Sequence, residues 1–170
     1  MRNILLIYTT VLIGFSSYAQ KEEAQTLVRS GVAKISNGDY ANAILDFNKA
    51  IEVDPKNMDA HLKRGFCYSS SGNYQAAVDD YSKVIELKPD LNFAYVSRGS
   101  AKNKLKQFSE ALIDFNKAIQ LKPDDYEAYN NRGWAKKGLG DDDGACADWK
   151  YSKKKGNDEA KIILKNNRCK

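Results

Sequence analysis

The 170-residue chain has the composition of a soluble, folded protein, with 42% hydrophobic residues, 29% charged residues and three prolines. This composition excludes a disordered, collagen-like or membrane-embedded chain. A chain of about 150 residues buries roughly 70% of its unfolded surface, so the core needs no metal ion for stability. One histidine and three cysteines leave few groups for catalysis.

The net charge of +5 is concentrated at the carboxyl end of the sequence. Residues 150–170 have a net charge of +6, whereas residues 20–149 have a net charge of −2. A nucleic-acid-binding protein needs basic residues along its whole contact surface, because each neutralised phosphate adds to the affinity. We therefore expect no nucleic-acid partner and interpret the basic segment as a solvated end. Contact of this end with a membrane complex is an alternative that predicts steep salt dependence.

The segment 1–19 has the parts of a signal peptide. Arg2 precedes an apolar run from Ile4 to Phe15, and Ser17 and Ala19 are the small residues that a signal peptidase requires. An uncleaved anchor is the alternative, but a spanning helix needs roughly 20 apolar residues and this run is shorter. We predict cleavage after Ala19, no stable membrane insertion afterwards, and export to the periplasm or the extracellular space of a Gram-negative bacterium.

The remainder of the sequence repeats at a fixed interval. The segment Asp46–Ile51 returns unchanged, two intervals later, as Asp114–Ile119. The same interval separates Gly31, Gly65, Gly99 and Gly133, Ala43, Ala77, Ala111 and Ala145, and Pro55, Pro89 and Pro123. Such a period, about 34 residues, indicates stacked units that share a core. The predicted division is a signal peptide (1–19), a short segment (20–23), four units (24–57, 58–91, 92–125, 126–157) and a carboxyl-terminal segment (158–170).

Each unit is predicted to fold as two helices. Apolar residues at helical spacing, such as Ile44, Phe47 and Ile51, suit a helix and not a strand. A turn glycine separates the helices in three units, and Lys106-Gln107 takes its place in the third. Proline ends the second helix of the first three units, after which Asn57 and Asp90 are predicted to cap the next helix. No strand is predicted.

The periodic glycines predict a close approach between the two helices of a hairpin. A glycine within a helix costs about 1 kcal/mol relative to alanine, so four glycines at one position indicate a packing gain. We expect each glycine to face the periodic alanine of the following helix, as Gly31 would face Ala43. The large residues of the second helices are then expected to fill the space between hairpins, namely Phe47, Tyr81, Phe115 and Trp149.

This pattern resembles the tetratricopeptide repeat over residues 24–157. It is clearest in the third unit at Tyr95, Gly99, Phe108, Ala111, Phe115, Ala118 and Pro123. The resemblance implies an all-α solenoid of four helix-turn-helix units. The fourth unit departs from the pattern, with Asp142, Ser152 and Asn157 in place of the aromatic residue, the alanine and the proline. A last helix within residues 158–167 is predicted to cap the stack.

The positions of the cysteines in the repeat predict their roles. Cys67 aligns with an alanine of the other units, so we expect a buried, unreactive thiol. Cys146 takes an apolar position that faces the following hairpin, and Cys169 lies near the end of the capping helix. In an exported protein this pair is expected to form a disulfide worth about 2–4 kcal/mol. Two separately buried thiols are the alternative.

In the family that this sequence resembles, the first helices of the hairpins line a concave groove. The side chains predicted to point there are Val28, Val32, Leu62, Phe66, Phe93, Val96, Asn130, Asn131 and Trp134. An apolar and aromatic stripe in a groove is typical of peptide capture. Burial of these side chains against neighbouring helices is the alternative. The carboxylate clamp of chaperone-binding relatives is not expected, since valines occupy the positions where its lysine and asparagine begin.

We predict a non-enzymatic adaptor that binds a peptide segment of another protein and needs no cofactor, metal or small-molecule substrate. His61 takes a packing position, and there is no second histidine for a metal site or proton relay. The acidic turn Asp141–Asp143 lacks the ligand spacing of a calcium loop. The alternative function is a structural subunit of a cell-envelope assembly, which associates with itself or a neighbour through the solenoid ends or convex edge.

Overall fold

The computed structural model describes residues 2–169, with side chains from Tyr18 to Cys169. These residues form helices and no strands, which confirms the predicted all-α fold class. The helices are α1 (Arg2–Ser36), α2 (Tyr40–Val53), α3 (Met58–Ser70), α4 (Tyr74–Leu87), α5 (Asn92–Lys104), α6 (Phe108–Leu121), α7 (Tyr126–Gly138), α8 (Asp142–Lys154) and α9 (Glu159–Asn166). The side chains of residues 1–17, which carry most of the predicted signal peptide, lie outside the described part.

The chain forms two compact units that divide between Ser71 and Gly72. The first unit contains α1 to α3, and its centre is the buried ring of Phe47 on α2. The buried residues around this ring are Val28, Ala43, Ala50, Ala60 and Cys67. The small side chains among these residues allow the three helices to pack closely around one large ring.

The second unit contains α4 to α9, and its buried apolar residues include the following two groups. One group includes Tyr95 and Val96 of α5, Ala118 of α6 and Ala128 of α7. The other surrounds Phe115, which is fully buried in α6. These groups hold α5, α6 and α7 together, and this part of the second unit positions the candidate site.

The periodic glycines make room for aromatic rings. A Cβ atom at Gly31 would lie 2.6 Å from the Phe47 ring, and one at Gly99 would lie 2.8 Å from the Phe115 ring. The atoms nearest to Gly31 thus belong to the ring of Phe47, one helical turn after Ala43, the residue with which contact was expected. The nearest neighbours of Gly133 likewise belong to Trp149. Each ring therefore packs against the glycine of its own hairpin, and Phe47 and Phe115 also pack against the next hairpin, as expected, at α3 and α7.

The turn between the two helices of a hairpin uses a left-handed residue. Gly38, Gly72 and Gly140 have φ angles of 75°, 80° and 83°. Lys106 takes this conformation in the third hairpin with a φ angle of 61°, which agrees with the turn predicted there without glycine. A side chain in this conformation is strained, because its Cβ atom approaches the following carbonyl oxygen.

One of the two predicted helix caps is correct. The side chain of Asn57 accepts a hydrogen bond from the Ala60 backbone N–H at 3.0 Å and caps α3. The prediction for Asp90 is wrong because α5 begins at Asn92, which makes Leu91 the capping residue. Leu91 has no side-chain acceptor, so this helix begins without a side-chain cap.

Polar contacts replace the missing alanine and proline of the fourth unit. Ser152 is fully buried, and its hydroxyl donates to the Tyr126 carbonyl oxygen at 2.8 Å. The same hydroxyl accepts a hydrogen bond from the Asn157 amide at 2.9 Å. Asn157 in turn accepts the Glu159 backbone N–H at the start of α9. The departures from the repeat pattern therefore position the last helix.

Candidate functional site

An open cavity of about 560 Å³ lies on the surface formed by α5, the start of α6 and α7. Its lining consists of Ser100, Asn103, Lys104, Phe108, Asn131, Trp134, Lys137 and Gly138. We call it the aromatic cavity. Phe108 and Trp134 give it an apolar wall, while the lysines and amides supply charge and hydrogen-bonding groups. Binding sites for peptides commonly combine these two kinds of surface.

The aromatic wall depends on the absence of a side chain at Gly138. A Cβ atom there would lie 2.6 Å from the Phe108 ring, so only glycine leaves this ring in place. Trp134 packs edge to face against the buried Trp149, with ring centroids 5.0 Å apart. This contact fixes the indole although 43% of the Trp134 residue remains exposed. A rigid, partly exposed indole is well suited to anchor a ligand.

Hydrogen-bonding groups of the cavity are only partly used within the protein. The Asn103 side-chain N–H donates to the Asn131 carbonyl oxygen at 2.9 Å. The Asn103 side-chain oxygen is buried and has no hydrogen-bond partner among the described residues. Lys137 forms an ion pair of 2.7 Å with Asp142, whereas exposed Lys104 has no ion-pair partner in the described part of the chain. An acceptor and a cation therefore remain for a ligand.

A second cavity of about 490 Å³ adjoins the first at Asn131. Its lining consists of Tyr126, Glu127, Asn130, Asn131, Gly156, Asn157, Asp158 and Glu159. We call it the acidic cavity, since it contains three carboxylates and no basic residue. Burial raises the pKa of the Glu127 carboxyl, and the nearby negative charge of Asp125 adds to this effect. The three carboxylates of the lining favour a cationic group in this cavity, and such a group would oppose the rise in the pKa of Glu127.

The structure brings only part of the predicted groove together. Asn131 and Trp134 line the aromatic cavity, and Asn130 lines the acidic cavity. Phe93 is exposed on α5 but belongs to neither lining. The cavity residues that sequence reasoning missed are Asn103, Lys104, Phe108, Lys137 and Gly138. The sequence feature that could have indicated this cavity is Gly138, which does not belong to the periodic glycines.

The prediction that Val28 and Val96 point into a groove is wrong. Val28 is 4% exposed and packs in the core of the first unit, and Val96 is 3% exposed in the core of the second. Their position in the first helix faces the neighbouring helices. In the first unit, Val32 and Phe66 are exposed and Leu62 is half-buried. Phe66 packs edge to face against Tyr40, with ring centroids 6.1 Å apart.

A repeated ion-pair network, which sequence analysis did not identify, joins the two helices of a hairpin. Arg98 and Lys102 of α5 bind the Asp114 carboxylate at 2.6 and 2.7 Å, and Asp114 is 1% exposed. One period later, Arg132 and Lys136 bind Asp148 in the same way. Hydrogen bonding to Asp148 raises the pKa of Arg132. These arginines and aspartates recur in the sequence at the interval of the repeat, and this recurrence could have indicated the network.

The structure places Cys146 and Cys169 at bonding distance, with their Cα atoms 5.5 Å apart. Their oxidation in the cell stays a prediction. Cys67 is fully buried, and desolvation raises the pKa of its thiol to about 11. A thiol with so high a pKa is a poor nucleophile at neutral pH.

Two further observations concern metals and membranes. No group of three or more histidine, cysteine, aspartate or glutamate side chains suitable for a metal ion occurs among the described residues. His61 is buried, and its Nε2 atom lies 3.2 Å from the Pro55 carbonyl oxygen. No helix in the described part of the chain has the length and apolar character needed to cross a membrane.

Hairpins of paired helices, repeated at the interval from Gly99 to Gly133 and exposing an aromatic cavity, define a helical-repeat protein. Family profiles described as TPR repeat match residues 31–72 and 99–140, and a profile described as Tetratricopeptide repeat matches residues 59–91. The chain belongs to the tetratricopeptide repeat family. This family assignment confirms the resemblance seen in the sequence.

Solved structures with the same fold include a peptide complex. The first TPR of Spaghetti (RPAP3), bound to HSP90 peptide SRMEEVD, is 26% identical with a TM-score of 0.68; the match covers 71% of this chain and 95% of that chain. A crystal structure of MamA is 26% identical with a TM-score of 0.75, covering 91% of this chain and 87% of that chain. TTC0263 from Thermus thermophilus is 20% identical with a TM-score of 0.71, and the match covers 85% of this chain and 80% of that chain. A search of curated proteins gives no match.

Proposed function

We propose that this protein is a non-enzymatic interaction module that binds a short segment of a partner protein in the aromatic cavity. The observation that carries the proposal is the exposed Trp134 indole, which is held by Trp149 and shares a cavity with Phe108. The peptide complex of the Spaghetti repeat domain, which has the same fold, supports a peptide as the ligand. An apolar side chain of the partner would contact the two rings, and the Asn103 oxygen would accept a backbone N–H.

The energetic role of Trp134 follows from its exposure. Nearly half of a large aromatic residue faces solvent, so a ligand that covers it gains hydrophobic contact without ordering the indole. Interface tryptophans commonly cost about 2 kcal/mol or more of binding free energy when removed, about 30-fold in affinity. We therefore expect Trp134 to be the residue on which binding depends most.

Selection of random peptides displayed on phage tests this proposal. The target is the protein purified after expression of its full sequence. Enriched peptides should bind with an affinity that Trp134→Asp lowers by at least about 30-fold. The matched control is Ile113→Asp, because Ile113 is 69% exposed on α6 and lies outside both cavities.

Equal binding of the enriched peptides to the wild type and the Trp134 variant would refute the proposal, as would the absence of enriched peptides. The helical content and melting temperature of each variant are measured by circular dichroism, so that unfolding is not mistaken for a lost contact. Trp134→Ala, which introduces no charge, serves as a second variant with the same expected direction.

We further propose that the protein is exported after cleavage behind Ala19. The small residues before this position and the approach of Cys146 to Cys169 support an oxidising compartment. The test is the mass of the protein isolated from its native envelope fraction. A chain that begins at Gln20 and contains one disulfide is expected; a chain that retains residues 1–19 in the cytosol would refute it.

A second candidate function is assembly through the carboxyl-terminal end. Ile162 on α9 is 65% exposed and would be covered in such an assembly. Such a protein should sediment as an oligomer, and Ile162→Lys should make it monomeric. A wild-type monomer at all accessible concentrations would exclude self-association.

A further inference from the structure

We propose that the two adjoining cavities select a peptide segment with opposite charges at its two ends. An acidic residue would lie beside Lys104 and Lys137 of the aromatic cavity, and a lysine or arginine would lie in the acidic cavity. This inference rests on the proposed peptide binding and adds the chemical class of the partner segment. No single cavity supplies both preferences, so the selectivity requires a ligand that occupies the two together.

The linings of the two cavities differ in the sign of their charge. The lining of the aromatic cavity contains two lysines and no carboxylate, whereas that of the acidic cavity contains Glu127, Asp158, Glu159 and no basic residue. Lys137 is paired with Asp142 at 2.7 Å, so Lys104 is the main source of positive charge for a ligand. The ion pair between Asp158 and Lys161, 3.3 Å long, joins two largely exposed side chains and neutralises little of this charge. A ligand of matching polarity is therefore favoured over one of uniform charge.

Each cavity also contains an unused hydrogen-bond acceptor. The side-chain oxygens of Asn103 and Asn130 are buried and have no hydrogen-bond partner among the described residues. Asn103 lines the aromatic cavity and Asn130 lines the acidic cavity. The Asn130 backbone is already held, since its carbonyl oxygen accepts the Trp149 indole N–H at 3.1 Å. Backbone N–H groups of an extended peptide would satisfy both side-chain oxygens.

The geometry of α7 sets the spacing of the two charges in the ligand. Glu127 and Lys137 lie near opposite ends of this helix, and Asn131, which borders both cavities, lies between them. Ten residues of α-helix span about 15 Å. An extended peptide rises about 3.3 Å per residue, so the acidic and basic residues should be four or five positions apart. The apolar residue that covers Trp134 should lie between them or next to the acidic one.

Charge reversal in each cavity tests this specificity. Peptides selected on the wild type should contain an acidic and a basic residue four or five positions apart. In fluorescence polarisation with such synthetic peptides, Glu127→Lys and Lys104→Glu should each lower the affinity about tenfold, as expected when one exposed charge pair becomes a repulsive pair. Replacing the basic residue of the peptide by glutamate should restore binding to the Glu127→Lys variant alone.

Two substitutions outside the cavities are matched controls. Glu110→Lys also reverses an acidic residue in the first turn of its helix, and Lys165→Glu reverses a basic residue in a last turn. Neither should change peptide affinity. Because the complementary peptide must recover binding, a variant that merely loses structure cannot produce the expected pattern.

The possible outcomes separate this inference from the proposed function. Peptides that depend on Trp134 but show no paired charges, or that respond to neither reversal, would overturn the charge selectivity and leave peptide binding intact. Peptides that do not depend on Trp134, or no enriched peptides, would overturn both. Charge-dependent binding that the Glu110 and Lys165 controls alter equally would indicate a general electrostatic attraction and would also overturn the inference.

Discussion

Removal of the predicted disulfide between Cys146 and Cys169 is expected to weaken the attachment of α9. These residues connect α8 with the segment after α9, and their Cα atoms lie 5.5 Å apart. The perturbation is the double substitution Cys146→Ser and Cys169→Ser, which removes the bond and keeps similar side-chain volumes. Reduction of the wild type provides an independent route to the same state.

The expected loss of stability follows from the length of the closed loop. The two cysteines are separated by 23 residues in sequence. Closing a loop of this length in the unfolded chain corresponds to about 3.4 kcal/mol at 25 °C in the chain-entropy treatment. In a repeat protein, such a loss acts mainly on the terminal element and its neighbour. Amide hydrogens of α9 should therefore exchange up to about 300-fold faster, the equivalent of that free energy.

Hydrogen exchange followed by mass spectrometry measures this effect on fragments that contain α9. The oxidised wild type should protect α9, and both the reduced wild type and the double variant should lose this protection. Treating the double variant with reductant is the control: since it has no disulfide, its hydrogen exchange should stay the same. Unchanged protection of α9 in the double variant would refute the argument that this bond holds the last helix.

Three further substitutions test the packing of the second unit. Lys106→Gly should raise stability by about 1 kcal/mol, seen as a higher melting temperature, because glycine relieves the strain of a positive φ angle. Asp114→Ala should lower the urea midpoint by the equivalent of about 3 kcal/mol, since two cations lose their buried partner, and an unchanged midpoint would contradict this. Gly99→Ala should destabilise by about 1 kcal/mol despite its higher helix propensity, because the new methyl group displaces the Phe115 ring; a higher melting temperature would be evidence against this packing.

The fold was predictable because the same residue pattern recurs in each repeat of the sequence. Each repeat of the segment around Phe47 provided an independent indication of helical spacing, and the turn at Lys106 followed from its position without help from its chemistry. Periodicity gives the position of a residue within a unit, but not which atoms it meets. The expectation for Gly31 named Ala43, whereas the atoms nearest to this glycine belong to the ring of Phe47.

The candidate site was less predictable because it depends on departures from the pattern. Val96 and Trp134 were both assigned to the groove, yet Val96 is buried against α6 and α7. The Trp134 indole packs against the buried Trp149 ring and remains partly in solvent at the aromatic cavity. The cavity also needs Gly138, since any side chain there would displace the Phe108 ring. Repetition thus specifies the helices that carry the site, while single exceptions to it create the surface on which a ligand can bind.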